Sequence, residues 1–417
     1  MIGGTCINIG CVPTKALVHQ AEERREGDDP AAWFDRSVDA RDALIAKLNA
    51  ANRAMLETVD AVRLVVGGAA SFVGPRQVRV TAGEDDLLIT AETVIVGTGA
   101  VPRRLGVPGA DGPRIHDSTS IQHVTPFPQR LAIVGGGPIS LEFASMFADF
   151  GSQVTVLERG ERLLAGEDAD VAESVTTALT DRGVEVRTGV AVSGFEDDGS
   201  AVTVGWEGGS LVADAVLVAV GRVPATEGLG LDAAGIETDD AGAIVVDEHL
   251  RTSAEGVFAT GDVNGGPQQT YVSYDDHRIV LSQLTGDGSR STADRVAVPT
   301  TTFVSPPFAR VGASEEELRA KGVDVAVHAK PVAKIAAMPR PKILGETHGL
   351  IKFCVDPETD LVLGAALHTV DAQELINLVA LAMRAGVTAS ELRDGIWTHP
   401  SSTEALNEVL AGPPRDA

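Results

Sequence analysis

Cysteine is scarce in this chain: Cys6, Cys11 and Cys354 are the only three in 417 residues. So few cysteines exclude the disulfide framework of a small secreted protein. Apolar runs of about 18 residues, the length that spans a bilayer, are also lacking. No charged segment followed by an apolar run lies near Met1. We therefore expect a cytoplasmic protein without membrane partners, in which two close thiols are catalytic or bind a metal.

Positive charge is the second shortage. The chain has 34 Lys and Arg residues against 59 Asp and Glu residues, which gives a formal net charge of −25. A surface of this sign repels nucleic acid and anionic membranes, so neither is expected as a partner. The length of 417 residues and the hydrophobic share of 44% are sufficient for about two to four domains with their own cores.

The hydrophobic pattern changes along the chain from helical to strand-like spacing. Apolar residues three and four apart predict helices over 11–26 and 39–62. Alternating or β-branched runs predict strands between 62 and 100 and short strands over 244–263. Residues 130–158 combine a strand, a glycine turn, a helix and a second strand. That order is typical of a βαβ unit.

The glycine turn GGGPIS lies between the first strand and the helix of this unit, from Gly135 to Ser140. Gly135 permits the tight turn, and Gly137 allows the backbone to approach a pyrophosphate at the helix N-terminus. Ser140 replaces the third glycine or alanine of the dinucleotide fingerprint, which is expected to loosen helix–strand packing. Glu158 ends the second strand, where the fingerprint has an acidic residue. The unit is therefore predicted to bind a dinucleotide.

The residues after the second strand bear on which dinucleotide binds. Glu158 is expected to accept hydrogen bonds from a ribose 2′-hydroxyl and to repel a 2′-phosphate, which favours NADH. Arg159 and Arg162 follow closely and would attract that phosphate. NADPH therefore stays open as an alternative.

Three further strand ends contain glycine. They are IVGTGA at 95–100, AVGRVP at 219–224 and FATGD at 258–262. The carboxyl ends of strands are where α/β proteins bind ligands. Each site alone is more often an ordinary turn, but three of them beside a fingerprint indicate two nucleotides rather than one.

The stretch GGTCINIGCVPTK, residues 3–15, contains two of the three cysteines. Pro13 suits the first turn of a helix, and a helix N-terminus stabilises a thiolate at Cys11. Lys15 adds positive charge one turn later. Two cysteines five positions apart can form a disulfide where the helix start is distorted. Two buried small side chains and a metal clip are the alternatives, although no His or third Cys lies nearby at the usual spacing.

The segment THPSSTE places His399 five residues before Glu404. A carboxylate orients a histidine ring and stabilises its protonated form, so the two predict a proton-transfer dyad. Cys354 lies in the apolar strand LIKFCVD and is predicted to be a buried core residue.

These motifs together resemble the flavoprotein pyridine nucleotide–disulfide oxidoreductases, a family that includes lipoamide dehydrogenase, glutathione reductase and mercuric reductase. The resemblance extends from residue 3 to about 410. Within the family, the sequence is most similar to the branch of copper(II)-reducing relatives of mercuric reductase. The motifs that support it are GGTCINIGCVPTK, VGTGAVP, GGGPISLE, AVGRVPAT, FATGDV and THPSSTE.

The resemblance implies an α/β fold with two Rossmann-like nucleotide-binding domains and a C-terminal α+β dimerisation domain, assembled as a homodimer. The implied domains are an FAD-binding domain at 1–129 completed by 246–297, an NAD(P)-binding domain at 130–245 and an interface domain at 298–417. The family has an additional N-terminal segment with the glycine motif that binds the ADP half of FAD. This sequence begins after it, so we expect an N-terminally truncated FAD domain and weak or absent flavin binding.

The resemblance also implies an electron path from NAD(P)H through FAD to a Cys6–Cys11 disulfide, and from there to an acceptor. Cys11 would be the flavin-proximal thiol, Cys6 the interchange thiol, and the partner subunit's dyad would move the proton. No bound metal is implied. The implied catalytic residues are Cys6, Cys11, Lys15, Glu142, His399 and Glu404. The implied cofactor-binding residues are Gly4, Thr5, Lys15, Gly97, Thr98, Gly99, Gly135, Gly137, Ser140, Glu142, Glu158, Gly221, Arg222, Asp262 and Thr270.

The acceptor stays open at this point. The acceptor would be a metal ion, a quinone-like compound or a small disulfide, and the resemblance alone favours copper(II). The dyad at His399 and Glu404 also fits a dihydrolipoamide dehydrogenase or another reductase of small disulfides. A third hypothesis is a flavin-free, inactive fragment that binds NAD(H).

Overall fold

The computed structural model describes residues 2–83 and 85–415 and has a mixed α/β fold. Its twelve α-helices within those residues are numbered in chain order. They are α1 Gly4–Asn8, α2 Cys11–Glu22, α3 Pro30–Glu57, α4 Pro138–Phe150, α5 Ala169–Asp181, α6 Leu231–Ala234, α7 Thr270–Thr285, α8 Glu315–Ala320, α9 Arg340–Leu344, α10 Ala372–Ala385, α11 Ala389–Asp394 and α12 Ala405–Val409.

The strands form six sheets in the described part of the chain. They are β1 Ala69–Gly74, β2 Gln77–Ala82, β3 Asp85–Thr90, β4 Val94–Val96, β5 Ala100–Pro102, β6 Ile115–His116, β7 Arg130–Val134, β8 Gln153–Leu157, β9 Glu185–Arg187, β10 Val192–Asp197, β11 Val202–Trp206, β12 Gly209–Ala213, β13 Ala215–Val218, β14 Arg222–Pro224, β15 Val257–Ala259, β16 Thr300–Thr302, β17 Phe308–Gly312, β18 Ala326–Pro331, β19 Leu350–Val355 and β20 Val362–His368.

The chain divides into two compact units. The first unit consists of residues 2–14, 39–103 and 221–295. It contains the antiparallel sheet β1-β2-β3, the parallel pair β4-β15 and the antiparallel pair β5-β14. Its core packs around the parallel pair, where Val96, Val257 and Ala259 are buried with Phe72. The parallel pairing places the carboxyl ends of β4 and β15 side by side.

The second unit consists of residues 15–38, 104–220 and 296–415. It contains a parallel sheet of order β6-β13-β7-β8-β9, an antiparallel sheet of order β16-β17-β20-β19-β18 and the small sheet β10-β11-β12. Four strand residues of β7 are buried in a row, as expected for a parallel strand covered on both faces. Helix α4 covers this sheet and starts with Pro138 in its first turn.

The core of the second unit is rich in phenylalanine. The ring of Phe34 lies 5.3 Å from Phe127, 5.6 Å from Phe147 and 5.2 Å from Phe150, measured between centroids. All four side chains are buried. These rings join α3 and α4 to the segment before β7, and they fix the helix that follows the glycine turn.

The structure confirms the βαβ unit at 130–158 and corrects three sequence predictions. The strand predicted from residue 62 starts only at Ala69, because Val62, Val65 and Val66 are exposed. Helix α3 covers Pro30–Glu57 rather than 39–62. Of the strands predicted over 244–263, only β15 forms, and the other pairings are isolated bridges.

Within the described residues, no helix combines the length and apolar character needed to cross a bilayer.

Candidate active site

A closed loop brings the two N-terminal thiols together. Helix α1 starts at Gly4 and lasts little more than one turn. The carbonyl of Thr5 then accepts hydrogen bonds from Ile9 N at 3.0 Å and Gly10 N at 2.7 Å, which turns the chain back before α2 starts at Cys11. The side-chain amide of Asn8 closes the loop on the other side by donating to the Gly4 carbonyl at 2.8 Å.

The Cys6 and Cys11 side chains are in hydrogen-bond contact with each other. The hydrogen bond with Cys11 and partial burial raise the pKa of Cys6, while a hydrogen bond with Thr270 opposes the rise. Cys11 is exposed, and its Sγ lies 3.2 Å from the Thr270 Oγ1. The arrangement therefore keeps the proton on Cys6 and directs a hydroxyl to Cys11.

Helix α7 starts at the thiol pair. Thr270 is its first residue, so the positive end of the helix dipole lies beside the sulfur atoms. Tyr271 follows, and burial and the neighbouring Cys11 raise the pKa of this phenol to about 12. The sequence analysis missed Tyr271, although tyrosine occurs only twice in the chain. Its position directly after Thr270, a residue predicted to bind the flavin, could have indicated that Tyr271 lies at the site.

Lys15 and Glu142 form an ion pair in the second unit, 127 positions apart in sequence. The other oxygen of Glu142, Oε1, accepts a hydrogen bond from the backbone N of Phe303 at 2.8 Å. The Lys15 ammonium also lies 4.7 Å from the centroid of the Phe303 ring, a cation–π contact. Phe303 thus orients both members of the pair. Nothing in the local sequence pattern indicates this role.

The glycine turn after β7 has the geometry that a pyrophosphate requires. Gly135 has a φ of +116°, and a Cβ there would lie 2.6 Å from the Ala219 carbonyl oxygen. A Cβ on Gly137 would meet no atom within 4 Å, so the backbone is open on that side. Ser140 is fully buried and donates to the Ala219 carbonyl at 3.3 Å. The expected loosening of packing at Ser140 is therefore wrong, because the hydroxyl ties α4 to the strand end.

Glu158 follows β8 and lies against the glycine turn. Its Oε1 accepts a hydrogen bond from Gly160 N at 2.6 Å. A Cβ on Gly136 would lie 2.8 Å from the Oε2 of the same carboxylate. An acidic group beside an open glycine turn at a helix N-terminus fits the diphosphate and ribose of a pyridine nucleotide.

The first unit places a second set of predicted residues at the ends of its parallel strands. Gly97, Thr98 and Gly99 follow β4, and Asp262 follows the neighbouring β15. A Cβ on Gly99 would meet no atom within 4 Å. Thr98 donates through its Oγ1 to the Ala225 carbonyl at 2.8 Å, so its hydroxyl fixes the turn itself.

Asp262 is the acidic group of this set. Burial raises its pKa, the positive charge of Arg222 opposes the rise, and the Asp276 carboxylate adds to it. Arg222 donates to the Ala100 carbonyl, and Gly221 before it is open on its Cβ side. Open glycines and a partly buried carboxylate at adjacent strand ends fit the hydroxyl-rich chain of a flavin nucleotide.

His399 and Glu404 form the expected dyad. The His399 Nδ1 lies 2.8 Å from the Glu404 Oε1, and the other carboxylate oxygen accepts a hydrogen bond from Ser401 N at 2.9 Å. Burial raises the pKa of Glu404, but the hydrogen bonds from Ser401 and His399 together outweigh it and lower the pKa. The His399 side chain is 70% exposed and Glu404 only 13%. The ring is thus held by an ionised carboxylate and presented to solvent.

Cys354 is separate from the thiol pair. It lies in β19 and is 3% exposed, which confirms the prediction of a buried core residue. Burial raises the pKa of its thiol to about 12. Among the described residues, no three His, Cys, Asp or Glu side chains are arranged to hold a metal ion.

Comparison with protein families adds a finding that covers most of the chain. Residues 1–276 match the family described as pyridine nucleotide-disulphide oxidoreductase, and residues 298–410 match the dimerisation domain of that family. The chain belongs to the pyridine nucleotide-disulphide oxidoreductases. It is an oxidoreductase of a family that uses FAD and NAD(P)H.

Individual members of the pyridine nucleotide-disulphide oxidoreductases resemble the chain over almost its whole length. The probable pyridine nucleotide-disulfide oxidoreductase RclA of Escherichia coli is 42% identical over 415 residues, covering 99% of this chain and 91% of the relative. A dihydrolipoyl dehydrogenase of Thermus scotoductus is 36% identical, covering 98% of this chain and 89% of the relative. A solved structure described as the Cu(II) complex of the HOCl-induced flavoprotein disulfide reductase RclA from Escherichia coli matches with a TM-score of 0.93 at 42% identity, covering 99% of this chain and 91% of that chain.

Proposed function

We propose that the chain transfers electrons from NAD(P)H to a disulfide formed by Cys6 and Cys11, and then to a metal-ion acceptor such as copper(II). The observation that supports this function is the contact of the two thiols with each other and with Thr270 at the start of α7. When bound, FAD supplies the two-electron link between the nicotinamide and the thiol pair.

The nucleotide sites follow from the two glycine-rich strand ends. Gly135, Gly137 and Glu158 hold the pyridine nucleotide, in a Rossmann-like domain at 130–245, with Ser140 supporting the turn. The segments 1–129 and 246–297 form a second Rossmann-like domain for FAD, and 298–417 form the interface domain. The FAD-binding residues in the first unit are Gly4, Thr5, Gly97, Thr98, Gly99, Gly221, Arg222, Asp262 and Thr270.

The thiol pair accepts and returns the electrons. Reduction of the disulfide takes two electrons and two protons and gives two thiols. Because the pKa of Cys6 is raised, the reduced side chain is a thiol that needs a base to lose its proton, and the Thr270 hydroxyl lies 3.2 Å from the Cys11 sulfur. The role we propose for the Lys15–Glu142 ion pair is to orient the Lys15 ammonium for the reaction of the nicotinamide.

The exposed dyad serves proton transfer. His399 accepts the proton of the Cys6 thiol of the other subunit in a homodimer, and Glu404 stabilises the protonated ring. The exposure of the His399 ring supports a role toward a second chain.

Copper(II) is favoured as acceptor because a solved structure at 42% identity is described as a Cu(II) complex. Two copper(II) ions each accept one electron. Cys6 and Cys11 thereby return from two thiols to the disulfide, and two protons are released. A reductase of lipoamide or another small disulfide is the second candidate. The dyad favours it, since disulfide exchange requires a proton acceptor, and a dihydrolipoyl dehydrogenase is 36% identical.

Steady-state turnover with NADH and added FAD tests the proposal, with copper(II) and lipoamide as acceptors. We expect the wild type to turn over with copper(II). Cys6→Ser and Cys11→Ser should each lose this activity, and Cys354→Ser should keep it. Fast turnover with lipoamide alone would overturn the metal acceptor. No turnover with either acceptor, combined with NADH binding, would favour a flavin-free protein that binds NAD(H).

A further inference from the structure

The segment after Glu158 lies directly on the glycine turn. Leu164 N donates to the Gly136 carbonyl at 2.9 Å, and a Cβ on Gly136 would lie 2.8 Å from a terminal carbon of Leu163. Arg162 precedes this contact by one residue. Arg162 follows Glu158 by only four residues, and Glu158 is the carboxylate proposed above to meet the ribose. An arginine so close to the ribose would be the natural partner of a 2′-phosphate.

The guanidinium of Arg162 is already engaged elsewhere. Its Nη2 donates to the Glu316 Oε2 at 2.9 Å and to the Glu167 carbonyl at 2.9 Å, and it lies 3.4 Å from the Ala165 carbonyl. Its Nη1 lies 3.4 Å from the Glu316 Oε1. Binding a phosphate would therefore require Arg162 to give up a two-point contact with a carboxylate and a backbone hydrogen bond.

Glu316 is itself fixed in position. It is the second residue of α8, and its backbone N donates to the Asp168 Oδ1 at 2.8 Å. Its Oε1 accepts a hydrogen bond from Ala169 N, the first residue of α5, at 3.0 Å. Asp168 is 4% exposed and also pairs with the buried Lys352 at 2.9 Å. The Glu316 backbone is thus anchored to a buried ionic cluster, and its half-exposed carboxylate is oriented by Ala169 N.

We propose that Glu316 is a specificity-determining residue that withholds Arg162 from the 2′-phosphate of NADPH. Glu158 then repels the 2′-phosphate of NADPH, and no nearby cation offsets this repulsion. The site therefore selects NADH. Arg159 is exposed, so it contributes only a screened charge. The inference rests on the proposed function of Gly135, Gly137 and Glu158 as the pyridine-nucleotide site.

Direct binding of NADH and NADPH to the purified full chain tests the proposal, followed by nicotinamide fluorescence. Glu316→Gln keeps an oxygen for Ala169 N but removes the charge that holds Arg162. We expect this variant to bind NADPH about fivefold to tenfold more tightly relative to NADH, the effect of one charge-assisted hydrogen bond at an exposed site. Glu161→Gln is the matched control, because Glu161 is exposed and adjacent to Arg162 but forms no ion pair with it within the described residues. It should leave the ratio of the two affinities unchanged.

The double variant Glu316→Gln with Arg162→Ala identifies the cation. The gain in NADPH affinity should disappear in the double variant, and Arg162→Ala alone should not weaken NADPH binding. An unchanged ratio in Glu316→Gln, with the melting temperature preserved, would overturn the proposal. A gain that persists without Arg162 would overturn it as well.

Failure of the proposed function gives a different pattern. Glu158→Ala should weaken NADH binding if the site is assigned correctly. If it does not, or if the chain binds neither nucleotide, the nucleotide site itself is wrong. If Glu158→Ala weakens NADH binding while Glu316→Gln changes nothing, only the role of Glu316 is wrong.

Discussion

Replacement of Glu404 by Gln tests what the carboxylate contributes to the His399 dyad. The carboxylate accepts hydrogen bonds from the His399 ring at 2.8 Å and from Ser401 N at 2.9 Å. Gln keeps nearly the same shape but has one acceptor oxygen, so the variant removes the negative charge and one of these two hydrogen bonds. A hydrogen bond to an ionised group stabilises by about 1.5–3 kcal/mol against about 1 kcal/mol for a neutral one. The difference is about 0.5–2 kcal/mol, and because the ring is 70% exposed we take about 1 kcal/mol rather than 2, which is roughly fivefold in rate.

The assay compares two acceptors that differ in where the thiol protons go: to the product thiols with lipoamide and to solvent with copper(II). Turnover with lipoamide depends on a proton acceptor for the thiol, so Glu404→Gln should slow it about fivefold. Turnover with copper(II) also releases two protons, but both can pass directly to solvent, so its rate should change less. Glu374→Gln, an exposed carboxylate on α10, is the matched control for loss of one negative charge.

The pH dependence follows from the sign of the shift. The pKa of Glu404 is lowered from its ordinary 4.5, so the folded protein keeps the carboxylate ionised below that value. The stabilising contact is fully present above pH 4.5 and is lost as the pH falls through the lowered pKa. The wild-type rate with lipoamide should therefore not lose the Glu404 contribution between pH 8 and about 5. Equal rates and equal pH profiles for Glu404→Gln and the wild type would refute the dyad.

Three further outcomes are expected. Glu142→Gln retains the Phe303 N contact but removes the ion pair of Lys15, and should slow NADH-dependent turnover about tenfold, measured with NADH and added FAD; an unchanged rate would contradict a role of the pair. Gly137→Ala fits the protein, because a Cβ there meets no atom within 4 Å, so it should preserve the melting temperature and weaken nucleotide binding about tenfold through lost backbone contact; undiminished binding in a fluorescence titration would place the pyrophosphate elsewhere. Phe147→Ala removes a fully buried ring from the phenylalanine cluster and should lower the free energy of unfolding by about 3–5 kcal/mol in urea titrations; a loss below about 1 kcal/mol would mean that the cluster is not tightly packed.

The parts of the site that depend on contacts between residues close in sequence could be predicted from local sequence patterns. The βαβ unit at 130–158 follows from a buried strand, a glycine turn and an amphipathic helix that are continuous in sequence. His399 and Glu404 are five residues apart, so their contact depends on one turn of chain. The closed loop around Cys6 and Cys11 is local in the same way, since Thr5 accepts the bonds that close it.

Contacts between distant segments could not be read from spacing. Phe303 orients Glu142 across 161 positions, and Glu316 engages Arg162 across 154. The predicted strand from residue 62 failed for the related reason that an apolar run forms a strand only where a neighbouring strand pairs with it. The expectation of an incomplete flavin domain with weak flavin binding stays a prediction.

The central claim is that electrons from NADH reach Cys6 and Cys11. The direct test is an anaerobic titration of the oxidised protein with NADH in the presence of FAD, followed by alkylation and mass spectrometry of the three cysteines. We expect Cys6 and Cys11 to become alkylated together, two thiols for each NADH consumed, while the buried Cys354 stays unchanged. NADH oxidation without new thiols at Cys6 and Cys11 would contradict the account.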